Sequence, residues 1–310
     1  KQLVEDIKRF GDADALAVTM TGELADCFFD RRAGVQSIVQ SVSEAAAALG
    51  IRSVAIYSVS GQWLQPQEAI EFPDQVAAAN WHVMALWLAT SGIVERPEDD
   101  DHSAPVLMID VGSTTTDLIP IEPPKVLTQA KTDFDRLREG SLVYLGGRRT
   151  PICSLLDSLD FDEQRIPLMR EVFATMDDAR LLLGYCPEMP DEQETADGRP
   201  RDRRHAANRL ARMIGLDHRQ IQVEQATELA AQVHRAAVER LSEAISVLTE
   251  RFRVRRYVVL GHAPDLVQLD DELDASNIDL RDLLGEDLSR VGPAYAAAQL
   301  AEASLGMHRR

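Results

Sequence analysis

Two carboxylates, Asp110 and Asp117, bracket a glycine and four consecutive hydroxyl side chains, Gly112-Ser113-Thr114-Thr115-Thr116. This set suits a phosphate. Gly112 permits a tight turn whose backbone N–H groups, together with the hydroxyls of Ser113 to Thr116, can surround the anion. Asp110 and Asp117 would repel a bare phosphate, so they make chemical sense if Mg²⁺, held directly or through water, lies between them and the ligand. No lysine completes a Walker pattern, which excludes a P-loop. An ordinary hairpin would also account for the threonines through strand propensity, but it leaves the two aspartates unexplained.

Three other stretches could do chemistry. Thr21-Gly22-Glu23-Leu24-Ala25-Asp26 follows the apolar run Ala13 to Met20, and ligand groups collect at the carboxyl ends of strands in open α/β sheets. Glu23 and Asp26 are therefore candidates for general-base or metal work, with Thr21 beside the substrate; the competing reading makes Thr21 a helix cap with Glu23 in the first turn. Gly146-Gly147-Arg148-Arg149 combines close backbone approach with paired guanidinium groups, which suits an anionic ligand. Gly261 would allow a ligand against a strand end, and His262 is its most chemical neighbour.

The elements that position these groups can be read from periodicity. Val106 to Ile109 and Leu118 to Ile121 are buried strands flanking the turn, and Tyr257 to Leu260 is another, ending at Gly261. Ser53 to Ser58 alternates as a strand before a turn at Ser60-Gly61. Helices are expected over Lys1 to Arg9, Arg32 to Leu49, Cys153 to Leu159, Met169 to Gly184, Arg203 to Ile214, Glu224 to Phe252 and Gly292 to Leu305, and Asp74 is expected to cap an alanine-rich helix reaching Leu88. Trp81 and Trp87 fit core packing better than ligand stacking. Acidic Glu95 to His102 interrupts the pattern and is the expected lobe boundary, giving a first lobe over 1–103, a second over 104–285 and a closing helix over 286–310.

At 310 residues the chain can bury two moderate cores. Its 33 basic and 51 acidic residues leave a net charge of −18, which repels nucleic acid and anionic lipid. The arginine-rich stretch Arg199 to Arg212 reads as a solvated helix face. Three scattered cysteines, Cys27, Cys153 and Cys186, imply a reduced compartment and no zinc cluster. The longest apolar runs are too short to span a bilayer and no signal-peptide pattern opens the chain, so a cytoplasmic protein is expected. The long helix Glu224 to Phe252 could pair across the axis of a homodimer or equally cover a lobe.

Asp-x-Gly-Ser-Thr-Thr-Thr-Asp over Asp110 to Asp117 resembles the second phosphate motif of the actin, sugar kinase and Hsp70 superfamily, in the form used by its hydantoinase and oxoprolinase branch. The resemblance implies an α/β, two-lobed, actin-like ATPase (ribonuclease H-like) fold whose closing helix returns to the first lobe. Such proteins open with a strand and an Asp-x-Gly-Gly turn; no match is present, so the first lobe is expected to be incomplete at its N-terminus. Met20-Thr21-Gly22-Glu23-Leu24-Ala25-Asp26, the hairpin, Val143-Tyr144 with Arg148-Arg149-Thr150-Pro151, and Thr195-Ala196-Asp197-Gly198 together resemble a narrower family, the tetrahydromethanopterin-linked one-carbon pathway proteins.

Archaeal members of that family are methanofuran-type synthases that join an aminomethylfuran methanol diphosphate to the phenolic oxygen of γ-glutamyltyramine and release diphosphate. The resemblance thus implies a transferase acting on a small diphosphate and a phenol. Gly112 to Thr116 with Arg148 and Arg149 would grip the diphosphate, Mg²⁺ would sit near Asp110 and Asp117, Glu23 or Asp26 would accept the phenol proton, and Tyr144 and Trp81 would wall the aromatic rings. Bacterial members could take a different acceptor. Gly261-His262-Ala263-Pro264 lacks the glycine cluster by which superfamily kinases hold adenosine, so ATP is not expected. The competing expectations are an ATP-dependent hydantoinase- or oxoprolinase-like hydrolase or small-molecule kinase, and a non-catalytic nucleotide sensor.

Overall fold

The computed structural model describes residues 2–94, 104–269 and 277–305. The chain divides into two compact units: Lys1–Leu107, Ile119–Ser141 and Leu284–Arg310 form one, and Met108–Leu118 with Leu142–Leu283 form the other. The expected boundary at Glu95 to His102 lies outside the described residues. Among those described, no helix is long and apolar enough to cross a membrane.

In the first unit, strand Ala15–Val18 pairs in parallel with Ser53–Tyr57, which pairs antiparallel with Trp63–Leu64. A parallel pair needs a long crossover, here the helix Arg31–Leu49. Its start is capped by Asp30, which accepts from Ala33 N–H at 2.8 Å, and it stops at Gly50 in the left-handed region. Val35 and Val39 of this helix pack with Met20, Ile56, Ala69 and Val76 as a buried core. Asp74 does not cap a long helix: it lies inside the single turn Pro73–Val76, and Ala78 at φ +46° breaks the chain before the separate helix Asn80–Thr90. That helix is apolar all round and buried, which is why periodicity could not place its start. Trp87 packs edge-on to Tyr295 of helix Gly292–Leu305, ring centroids 5.2 Å apart.

A second sheet has the strand order Ile278–Asp279, Arg256–Gly261, Val106–Val111, Thr116–Glu122, Lys125–Val126. Leu142–Val143 adds antiparallel to the turn-proximal end of Thr116–Glu122, Thr116 opposite Val143 and Asp117 opposite Leu142. The helix Val223–Phe252 turns Ala226, Leu229, Ala230, Val233, Ala237, Leu241, Ile245 and Leu248 inward, a continuous stripe at helical spacing. Two expected helices are corrected. Cys153 to Leu159 contains only a short 3₁₀ turn, Ile152–Ser154, and then enters the hairpin Ser158–Phe161 and Gln164–Pro167, whose turn residues Asp162 and Glu163 both have positive φ. Met169 to Gly184 is helical only over Met176–Leu183, started by a Thr175–Asp178 capping box and stopped by left-handed Gly184.

Candidate functional site

The hairpin turn in the second unit is built by close backbone contacts, one of which requires glycine. Gly112 N–H donates to Thr115 O at 2.9 Å and closes the turn. The segment after Leu142–Val143 then lies against it: Gly147 N–H donates to Gly112 O at 2.9 Å, and the N–H groups of Arg148 and Arg149 both donate to Ser113 O, at 3.0 and 2.8 Å. A Cβ on Gly146 would fall 2.6 Å from backbone atoms of Ser113 and Thr114. The Gly-Gly-Arg-Arg stretch and the hydroxyl-rich turn, 30 or more positions apart in the chain, are thus one structure. Ser113, Thr114 and Thr115 are half-buried, and among the described residues their hydroxyls have no protein partner. Thr116, expected with them as a phosphate ligand, is fully buried and donates its hydroxyl to Leu145 O at 2.7 Å, so it fastens the turn instead.

Asp110 and Asp117 both end up beside this turn and nearly buried, 8% and 6% exposed. Burial, and then the neighbouring charge of Asp117, push the Asp110 carboxyl up to about 7. Two carboxylates held together away from water are the donor set a divalent cation would stabilise. Among the described residues no group of three or more histidines, cysteines or acids converges as a metal cage. A cation at Asp110 and Asp117 would therefore draw its remaining ligands from water and substrate phosphate, as Mg²⁺ does.

Gly261, at φ +97°, closes the site from the neighbouring strand: a Cβ there would stand 2.4 Å from Val111 O and 2.6 Å from Asp110 Oδ1. His262 N–H donates to Val111 O at 2.6 Å, and its residue is exposed at the strand end. Sequence reasoning missed the residue that ties these pieces together. Arg180, 5% exposed, donates through Nε and Nη2 to both oxygens of Asp265 (2.7–3.2 Å), through Nη1 to Gly147 O at 3.1 Å and through Nη2 to His262 O at 3.2 Å. Burial opposes the Asp265 charge, but hydrogen bonds from His234 and Arg180 hold its carboxyl below the ordinary range. The Arg180 guanidinium fork satisfies two loop carbonyls and one carboxylate at once, a geometry lysine cannot supply.

The arginine-rich stretch is corrected as well. Arg201 makes a bidentate pair with Asp177 at 2.6 and 2.8 Å, and Arg209, fully buried, pairs with Asp178 at 2.7 Å and with Asp197 at 3.1 Å. The Thr195-Ala196-Asp197-Gly198 loop is thereby anchored, with Thr195 donating to Arg199 O at 2.7 Å. A signal existed: Arg209 shares a face with Ala206, Leu210 and Met213, which marks it as inward-facing. Arg148 pairs with Glu192, while Arg149 is exposed. Tyr144 is also exposed, at 66%.

In the first unit Glu23 and Asp26 separate in character. Asp26 and Thr21 are exposed, whereas Glu23 is 2% exposed and its Oε2 is buried without a hydrogen-bond partner. Burial raises the Glu23 pKa; its own backbone N–H lowers it, the charge of Asp133 raises it, and Ala78 N–H and Arg31 lower it, with a net upward shift. Gly34 is what admits Glu23, since a Cβ there would lie 2.0 Å from Glu23 O. No helix follows Thr21 directly; residues 21–30 are turns and the cap is Asp30, so the capping reading of Thr21 and Glu23 fails. Trp81, expected as an aromatic wall, has no exposed face: it is fully buried beneath the Arg136 guanidinium, 4.5 Å from the ring centroid, with His82 edge-on.

The comparisons with known proteins agree with this architecture. Residues 14–269 match the sequence model of the hydantoinase/oxoprolinase family. The chain is 31% identical over 308 residues to a (4-{4-[2-(gamma-L-glutamylamino)ethyl]phenoxymethyl}furan-2-yl)methanamine synthase of Methanocaldococcus jannaschii, covering 98% of this chain and 88% of that protein. It is 29% identical over 199 residues to a synthase of the same name from Methanococcus vannielii, covering 63% of this chain and 89% of that one. Among solved structures, nucleotide-free acetone carboxylase superposes with a TM-score of 0.55 at 13% identity, over 86% of this chain and 39% of the other. The chain spans about two-fifths of that enzyme, and the likeness is one of fold, the actin-like ATPase α/β fold. The chain therefore belongs to the hydantoinase/oxoprolinase family and, within it, to the group of these furan-methanamine synthases.

Proposed function

We propose that this chain is a transferase of methanofuran-type cofactor biosynthesis, joining an aminomethylfuran methanol diphosphate to a phenol such as γ-glutamyltyramine with release of diphosphate. The observation that carries this reading is 31% identity along 98% of the chain to a synthase whose name describes the ether product. In the proposed reaction the bond between the furfuryl carbon and the diphosphate oxygen breaks, its electron pair leaving with the diphosphate. The phenolic oxygen bonds to that carbon and its proton passes to a base. The furan oxygen shares the positive charge of the ionising carbon, so the enzyme's main task is to hold the departing anion.

Backbone N–H groups and the Ser113, Thr114 and Thr115 hydroxyls would hold the diphosphate, with Gly146 letting its segment brace the turn from behind. Bound Mg²⁺ at Asp110 and Asp117 would supply charge neutralisation of the leaving group. A phenol has a pKa of about 10, so its attack at neutral pH calls for a proton acceptor. Glu23 suits that role better than Asp26 in basicity: burial raises its pKa, and its Oε2, buried in the free protein, has no hydrogen-bond partner to compete for the proton. Location in the cytoplasm, and function without ATP, belong to this proposal.

The test is to incubate the protein and Mg²⁺ with the furfuryl diphosphate and γ-glutamyltyramine, and separately with ATP, following phosphorus NMR and product mass. The expected result is diphosphate with an ether product. Inorganic phosphate and ADP from ATP, with no ether, would replace this reading by an ATP-dependent hydrolase or kinase.

A further inference from the structure

Arg148 and Arg149 line a cavity of about 230 Å³ in the second unit, bounded also by Asp177, Asp178 and Glu194. That volume is below the roughly 300–1,000 Å³ of pockets that take whole ligands, and it suits one end of a substrate. Most of its charge is already spent within the protein: Arg148 is paired with Glu192, Asp177 with Arg201, and Asp178 with Arg209. Two charged groups remain. Both are solvent-exposed, and among the described residues neither the Arg149 guanidinium nor the Glu194 carboxylate has a hydrogen-bond or ion-pair partner, and they do not pair with each other. The wall carrying Glu194 is held in place, because the adjacent loop is fixed by the Arg209–Asp197 pair and by Thr195 on Arg199 O.

One unpaired guanidinium and one unpaired carboxylate facing a small cavity are complementary to a ligand carrying both charges close together. A phosphate would satisfy Arg149 but meet repulsion from Glu194. A zwitterionic α-amino acid group satisfies both, its carboxylate on the guanidinium and its ammonium on the glutamate, through charge-assisted hydrogen bonds. The opposite, backbone side of the same Arg148-Arg149 stretch donates to Ser113 O in the phosphate turn, so the cavity and the turn are two faces of one segment.

We infer that this cavity binds the α-amino acid head of the acceptor, with Arg149 on its carboxylate and Glu194 on its ammonium. The ligand's identity, a γ-glutamyl group, rests on the reaction proposed above. This assigns Arg149 to acceptor selection and not to the diphosphate.

The test measures binding of γ-glutamylmethylamide, which carries the head and amide without the phenol, to the full chain by calorimetry. Arg149→Ala and Glu194→Gln are each expected to raise Kd about tenfold or more, the loss of one charge-assisted hydrogen bond. The analogue lacking the ammonium, 4-(methylcarbamoyl)butyrate, should bind the native chain about as weakly, and Glu194→Gln should not weaken it further. Absence of binding to the native chain, or equal affinity in Arg149→Ala, would overturn the assignment. Should a variant fail to fold, the comparison of the two probes on the native chain decides. The measurement requires no turnover: a chain that binds the probe and forms no ether would retire the reaction and keep the site. With turnover, a rise in KM for the diphosphate in Arg149→Ala, unaccompanied by one for γ-glutamyltyramine, would return the arginine to the phosphate.

Discussion

Gly261→Ala is a single methyl group aimed at the centre of the site. Two costs follow from the structure. The residue sits at φ +97°, where a non-glycine side chain costs about 1–3 kcal/mol. The new Cβ would also lie 2.4 Å from Val111 O and 2.6 Å from Asp110 Oδ1, so the strand end must retreat by about 1 Å to reach the 3.4 Å of an ordinary contact. Val111 O is backbone and cannot rotate away, and it accepts the His262 N–H bond that holds the two strand ends together. The control is Gly184→Ala, at φ +82° with nothing within 4 Å of the added Cβ: it bears the first cost without the second. The expected outcome is a lower thermal midpoint in both variants, by a similar amount from backbone strain and further in Gly261→Ala. Turnover should fall only in Gly261→Ala, by about a hundredfold, the order of loss for a 1 Å misplacement near reacting groups. Parallel thermal melts and initial rates measure this. Equal activity in the two variants would refute the idea that Asp110 and the hairpin must hold that position.

Three further outcomes are expected. Asp110→Asn removes a buried charge that faces Asp117, so the protein should melt no lower than the parent while Mg²⁺-dependent turnover collapses; a variant as fast as the parent would end the metal assignment. Glu23→Gln should reduce kcat/KM at pH 7 by about a hundredfold or more, with the deficit shrinking towards pH 10 as the phenol ionises unaided, and a deficit independent of pH would show that Glu23 does not accept the proton. His82, buried and bonded to Tyr57 OH at 2.9 Å, has its pKa lowered to about 4 by burial and then by the charge of Lys131. A depressed folded-state value means its stabilisation is complete above the unfolded pKa of about 6.5 and is lost as pH falls towards 4. The loss is about 3 kcal/mol, read from urea unfolding at successive pH values, and absence of a difference between the parent and His82→Gln in that window would refute it.

The local determinants of the site were visible in the linear chain. An Asp-x-Gly followed by hydroxyls and a second Asp between two apolar runs describes a turn and its chemistry in eight consecutive residues, because a hairpin is made by neighbours. The long helix was visible for the same reason: its inward stripe repeats every three or four residues over 30 positions. Short elements without a repeat were misread. Cys153 to Leu159 has helix-compatible residues, yet the positive φ at Asp162 and Glu163 folds the segment into a hairpin. The helix holding Trp81 is apolar on every side, so periodicity could say that it is buried and not where it starts.

Sequence alone therefore determined the fold class, the hydroxyl-rich turn with its flanking aspartates, and the presence of the carboxylates Glu23 and Asp26 after the first strand. Only the tertiary structure decided how each of those groups is buried and paired. It buried Glu23 and left Asp26 in water, turned Thr116 to a carbonyl, and sealed Trp81 under Arg136. It also spent the charge of Arg148 on Glu192, and it brought Arg180 from a distant helix to clamp Gly147, His262 and Asp265. The physical reason is that burial and charge pairing depend on residues far apart in the chain. A turn's backbone is dictated by its own residues, whereas a side chain's basicity and availability are dictated by whatever the fold packs around it.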